Sequence, residues 1–227
     1  AATLLAKNGI YHGENVPNGK AKFLKNFQIA NQGINAANCT QILADYLLYY
    51  PFIDMDSTDE QLFTNAVTLP RYSDGRGVRA FLVAQGNYIG GQSFIINYTN
   101  EKGVSGRISR VNTTNVATFQ GCILSAGTET VLTSAPFITL EGNDQGIRSV
   151  ESITFAASNG GIAALVLVKP LAVNYIRESI SPAEKDFLTE GAVLPEIKNG
   201  AFLGIISRAL GNVQNSPWHG HIETIWG

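Results

Sequence analysis

Between Gly77 and Ile176 the chain is written as short apolar segments of about five to eight residues, each closed by Gly, Asn or Ser. Residues 78–84, 93–99, 106–111, 117–124, 136–140, 150–155, 163–169 and 171–176 all read this way. Segments of that length are too short for ordinary helices. Rich in β-branched and aromatic side chains, they are expected to pair as the strands of an antiparallel sandwich or barrel. The turn chemistry agrees. Asn100-Glu101-Lys102-Gly103 reads as a hairpin loop and Asn159-Gly160 as a tight turn. The glycines of Gly86-Asn87-Tyr88-Ile89-Gly90-Gly91-Gln92-Ser93 supply a hairpin or bulge conformation.

The flanks follow other rules. Residues 1–36 are punctuated by Asn8-Gly9, Gly13, Pro17, Asn18-Gly19 and Gly33, so they read as an extended, mildly basic arm. As an arm, residues 1–30 are expected to be removable without unfolding the body. Ile42, Tyr46 and Tyr49 recur at helical spacing, which predicts a helix over residues 37–49 stopped by Pro51. Ser57-Thr58-Asp59-Glu60 matches a capping box opening a short helix through residues 61–63. Ser181-Pro182-Ala183-Glu184 sets an N-cap serine, a first-turn proline and a reaching glutamate ahead of a helix closed by Gly191. Residues 201–210 suit helix or strand, and residues 218–226 alternate like a strand. The resulting fold class is mainly β: an antiparallel sandwich or jelly-roll-like body with a few short helices and an extended N-terminal arm. Four segments are expected: the arm at 1–36, a helical segment and loop at 37–76, a β core at 77–180, and a helix with a C-terminal strand at 181–227.

Composition narrows the function. Of 227 residues only 15% are charged, and the formal net charge is -2. A nucleic-acid binder carries a basic footprint, which this chain lacks, so no specific nucleic-acid partner is expected. No window approaches the roughly 18–20 apolar residues of a membrane helix, and no membrane partner is expected. Cys39 and Cys122 are too few for a disulfide framework and stand outside any Cys-x-x-Cys pair. One bridge between them is possible, and so are two free thiols. The first residues are too short and too weakly apolar for a signal peptide.

Chemistry-bearing motifs are sparse. On a strand, His219, His221 and Glu223 would share one face, a geometry that could present two imidazoles and a carboxylate to a metal ion. The competing reading is a polar strand face between Trp218 and Trp226. Asp54, Asp56, Asp59 and Glu60 form the acidic cluster, without the glycine and twelfth-position glutamate of an EF-hand. The glycine-rich loop at 86–93 lacks the lysine of a phosphate loop, and Ile95 breaks a nucleophile elbow. Asn38, Asn97 and Asn112 begin sequons at the frequency chance allows in so Asn- and Thr-rich a chain. No catalytic residue, metal ligand or cofactor is therefore assigned. Three arginines and a tyrosine crowd the loop 71–79, and with the tail they supply the expected subunit contacts: Arg71, Tyr72, Arg76, Arg79, Trp218 and Trp226.

With its glycine-punctuated arm, its Asn/Thr-rich strand region over 77–177 and its aromatic tail, the chain resembles structural proteins of tailed-bacteriophage virions, particularly head decoration or cement proteins. The resemblance is one of general style over the whole chain and brings no signature residue with it. It implies a non-enzymatic part of a virion assembled in the host cytoplasm, with other capsid subunits and further copies of itself as partners. A low surface charge fits a protein held among neighbours. The alternative is a carbohydrate-binding, lectin-like sandwich with calcium on the acidic cluster; a third is a cupin-like metal enzyme built on His219, His221 and Glu223.

Overall fold

The computed structural model describes residues 1–4, 8–31, 39–115, 120–126, 136–178, 180–190, 193–209 and 217–227. Among them are fifteen strands and no α-helix. In chain order these are β1 (Ala2–Thr3), β2 (Lys22–Asn31), β3 (Cys39–Asp54), β4 (Gln61–Leu62), β5 (Arg79–Ala84), β6 (Ser93–Asn100), β7 (Arg107–Ile108) and β8 (Asn112–Thr114). They continue as β9 (Ser125–Ala126), β10 (Ile147–Phe155), β11 (Ile162–Ile176), β12 (Ala183–Asp186), β13 (Glu196–Ile197), β14 (Leu203–Ala209) and β15 (Trp218–Trp226). All the strand pairs of known register are antiparallel. The chain divides into two compact units, Ala1–Leu4 with Leu47–Lys169, and Leu5–Tyr46 with Pro170–Gly227.

In the first unit β11 pairs β5 from Ala163↔Ala84 to Val168↔Arg79, and β1 lies on β3 at Ala2↔Tyr49. A second sheet runs β4-β10-β6-β8-β9, with β7 also on β6. The alternation of β6 buries Phe94, Ile96 and Tyr98 on one face. These meet Ile153 and Phe155 of β10, Leu82 of β5 and Leu165 of β11 in one core. Phe94 and Phe155 stack at 5.7 Å, Tyr50 and Phe63 at 4.8 Å. Complete burial of side chains this large stabilises by about 1.5–3 kcal/mol each. Over 163–168 both faces of β11 are buried, which is why that stretch of sequence is a continuous apolar run rather than an alternating one.

The second unit is organised by β2. One edge of β2 carries β12 and then β13; the other carries the full length of β15. β14 pairs β3 from Leu203↔Asp45 to Ala209↔Cys39. Leu24, Phe27 and Ile29 of β2 join Leu43, Ile176, Phe187, Ile197 and Leu203 in this unit's own core.

Three predicted helices are strands or turns instead. Residues 39–49 belong to β3: their apolar side chains recur so densely because both faces of the strand are buried, which imitates helical spacing. β14 and β1 claim the edge of this strand up to Tyr49, and Pro51 follows where those pairings have ended. The Ser57 hydroxyl accepts the Asp59 amide in a local turn, while the Gln61 side chain takes both the amide and the carbonyl of Asp54. Gln61 and Leu62 then pair β10. At Ser181-Pro182-Ala183-Glu184, β12 pairs β2 residue by residue, and Glu184 receives the Asn26 amide at 2.5 Å rather than folding back to a cap. Gly191 lies outside the described residues. Among the strand candidates, 163–169 and 171–176 are one strand running through Pro170, and 136–140 is irregular. Within the ambiguous segment 201–210, Leu203–Ala209 form the strand β14, and residue 210 lies outside the described residues.

The arm also needs revision, because Lys22–Asn31 within it form β2. Buried polar residues at Lys22, Asn26 and Asn31 mask the alternation of this strand in the sequence. Removing residues 1–30 takes away the strand on which β12, β13 and β15 pair. We predict that a chain lacking residues 1–31 loses the cooperative unfolding of the second unit, read as a lost β signal and a lost transition in circular-dichroism melts.

Candidate interaction surface

Before β2, residues 12–14 wrap around one side chain. Lys22 is only 3% exposed, and its ammonium donates to the carbonyls of His12 at 3.2 Å, Gly13 at 3.2 Å and Glu14 at 2.5 Å. The imidazole of His12 completes the cage. Its Nε2 lies 3.1 Å from the Ala201 carbonyl, which can only accept, so Nε2 carries the hydrogen and Nδ1 accepts from Lys22 at 3.3 Å. Burial holds the Lys22 pKa below its ordinary value, and the charge of Glu14 opposes that fall. The first half of the arm is thereby fastened to β2, and the amide of Ile10 adds a bond to the Leu203 carbonyl.

Beside this loop runs β15. Trp218 and Ile222 pack against the core of the second unit, while His219, His221 and Glu223 are exposed on the opposite face. Gly220 sits so close to β2 that a Cβ there would meet the Gln28 carbonyl oxygen at 2.4 Å. A shallow cleft of about 220 Å3 is lined by Ile10, Phe27, Ile205, Trp218 and Ile222, and another of about 250 Å3 by His12, Lys22, Thr224 and Trp226. Trp226 remains 61% exposed.

The three residues of the conjectured metal face do lie on one side of β15, yet the Glu223 carboxylate is engaged by Lys25 at 2.8 Å. Among the described residues no three imidazole, thiol or carboxylate groups converge on a common point. The acidic cluster is also dispersed. Asp54 accepts the Asp56 amide, Asp56 accepts the Ser158 hydroxyl, and Glu60 accepts the Ser152 hydroxyl at 2.5 Å. The glycine-rich loop is framework: the buried Asn159 side chain accepts the Gly90 amide at 2.7 Å, and its carbonyl accepts that of Ile89. Of the sequon asparagines, Asn112 is fully buried and bonded to Arg110 and Thr139, Asn97 lies in β6, and Asn38 falls outside the described residues. Cys39 and Cys122 are thiols, not a disulfide. Burial pushes the Cys39 thiol up.

The arginine loop belongs to the first unit and the tail tryptophans to the second. Tyr72 holds φ at 52°, and the ammonium of Lys169 lies 5.5 Å from its ring centroid and donates to the Arg76 carbonyl at 2.7 Å. Burial depresses the Lys169 pKa; Asp74 counters that, and Arg79 and Arg76 add to it. The loop is thus a tight positive corner with Arg76 exposed and Arg71 and Arg79 half-buried. Gly75 fixes its path, since a Cβ there would strike the Ile147 carbonyl at 2.5 Å. In the same unit Asp144 gathers Tyr98 Oη at 2.6 Å, Arg107 Nε at 2.8 Å and Asn100 Nδ2 at 2.9 Å. Burial pushes its carboxyl up, but the bonds from Arg107, Tyr98 and Asn100 together outweigh burial and hold it below the ordinary range.

Neither Lys22 nor Asp144 stands out in the sequence. The only signal is a charged residue inside an apolar stretch for Lys22, and none is visible for Asp144, whose partners lie far away along the chain. Among the described residues no helix is long and apolar enough to cross a membrane. No known protein family matches the chain, nor does any curated protein or solved structure compared with it.

Two substitutions test these anchors. Asp144→Asn should cost about 3 kcal/mol at neutral pH by weakening charge-assisted bonds. Because the folded-state pKa is depressed, the stability from Asp144 is complete above the ordinary carboxylate value. It disappears as pH falls through the lower folded value. Melts taken from pH 7 to pH 2 should therefore show a shallower acid limb in the variant than in the parent. Lys22→Met keeps the apolar stem but leaves three carbonyls without a donor, and is expected to cost about 1–3 kcal/mol in chemical denaturation.

Proposed function

We propose that the chain is a non-enzymatic structural component of a virion, a decoration or cement subunit that stabilises a shell through contacts with neighbouring subunits. The body is read as sandwich-like, since the inner faces of two antiparallel sheets enclose the core of the first unit. The observation that carries the proposal is β15: a nine-residue strand at the margin of its sheet, bracketed by Trp218 and Trp226. Such an edge offers a neighbouring chain a ready backbone ladder, and aromatic residues supply anchors. Charge use points the same way. Lys22, Asp144 and Glu223 are committed to holding the fold together, and the exposed set includes large apolar side chains such as Phe52 at 80% and Val193 at 91%. Arg71, Tyr72, Arg76 and Arg79 are proposed as a second contact region on the first unit.

Purified virions from the source of this chain provide the test. Peptide mass spectrometry and immunogold labelling should find the chain on the particle surface, and stripped shells should take the purified protein back. Shells that neither contain it nor bind it would refute the reading, as would glycan binding sensitive to a chelator.

A further inference from the structure

We propose that the outer edge of β15 pairs antiparallel with the β15 of a second copy, with the two-fold axis passing through Ile222. The inference deepens the assembly reading and rests on it for its setting; its argument is the geometry of the strand.

The backbone settles which groups point outward. Ala21 and Gly227 exchange both of their hydrogen bonds, each 3.3 Å long, so the amide and carbonyl of residue 227 face β2. Alternation along a strand then turns Ile225, Glu223, His221 and His219 toward β2, and Trp218, Gly220, Ile222, Thr224 and Trp226 away from it. The register shift at Glu223/Thr224 places the extra residue, Lys25, on β2, so alternation in β15 continues past it. The far end agrees. Asn31, opposite Trp218, gives its carbonyl to the amide of Ile180 rather than to β15. Among the described residues no backbone group bonds the outer side of β15. Natural edges are commonly guarded by lysine, proline or an outward bulge. β15 has neither a lysine nor a proline, and its bulge lies on the partner strand.

The sequence Trp-His-Gly-His-Ile-Glu-Thr-Ile-Trp is complementary to itself about its centre. With the axis at Ile222, Trp218 faces Trp226 of the second copy, Gly220 faces Thr224, and Ile222 faces Ile222, all as hydrogen-bonded pairs. His221 faces Glu223 at the closer, non-hydrogen-bonded positions, so an imidazole meets a carboxylate twice across the axis. Backbone parity admits an axis at any residue of the strand, outward residues centring a hydrogen-bonded pair and inward ones a non-hydrogen-bonded pair, and excludes axes between residues. Of the admitted axes, only the one at Ile222 uses every outward amide and carbonyl of the strand. This register also covers Trp226 with an aromatic partner and extends both cores through Ile222, which already packs on its own.

The experiment is sedimentation velocity on the full chain over a wide concentration range, combined with amide exchange by NMR. The expected result is a reversible dimer in which the amides of Trp218, Gly220, Ile222, Thr224 and Trp226 gain protection with concentration, while those of residues 219, 221, 223 and 225 are protected throughout. Thr224→Pro removes an outward amide, which an edge strand tolerates, and should yield a folded monomer. His221→Glu and Glu223→His should each weaken the dimer at least tenfold, and the double variant should restore it. The exchange of His221 and Glu223 carries the test if the proline variant fails to fold. A chain that stays monomeric at every concentration overturns the inference, as does a dimer without alternating protection, or one that the double variant does not rescue. A monomer that still binds its shell refutes the paired edge and leaves the virion reading standing; a dimer with no affinity for any shell does the reverse.

Discussion

The backbone ladder on β2 is the constraint from which the second unit follows. β12, β13 and β15 come from distant parts of the chain, and each finds its register on this strand. A single residue of slippage would turn Leu24 and Ile29 out of the core and bring Lys25 and Gln28 into it. Asn26 and Asn174 help to prevent that slip. The Asn26 amide is bound by Glu184 of β12, and the Asn174 amide donates to the carbonyls of both Phe27 and Ala183. Apolar burial supplies most of the driving force, and these buried amides select one alignment among the alternatives that burial alone would accept.

The scarcity of charge has a structural counterpart. Where charged groups are present, the best-placed are used as fasteners: Asp144 ties its own loop to β6 and β7 of the first unit, and Lys169 holds the arginine loop through the Arg76 carbonyl and the face of Tyr72. Much of the remaining surface is uncharged amide, hydroxyl and apolar side chain. A surface of that kind is ill suited to long-range steering and well suited to close fit with a neighbour.

How legible all this is in the sequence depends on where each element finds its partners. β5, β6, β10 and β15 can be read directly, because each has one dominant face or a run of β-branched and aromatic residues closed by turn residues. β3 could not be distinguished from a helix, since burial on both faces removes the two-residue period that identifies a strand. β2 was hidden by the polar residues it buries, among them Lys22, held by the carbonyls of the preceding loop, and Asn26, bound to the distant Glu184 carboxylate. Both cap-like motifs, at Ser57 and Ser181, have the side chains of a helix start. A local preference worth about 1 kcal/mol yields to a ladder of backbone bonds and an apolar face. The tail tryptophans were recognisable as candidates, whereas the outward parity of their strand depends on Gly227 meeting Ala21, a contact no spacing rule reveals.

The lysine enclosed by three carbonyls does work that many extracellular and viral loops assign to calcium. Oxygen ligands converge there on a positive centre, but that centre is covalently part of the chain. It has no dissociation constant, cannot be chelated, and does not exchange with the medium. A segment shaped in this way needs no ion from the medium to hold it, whereas one shaped by a bound ion follows the salt around it.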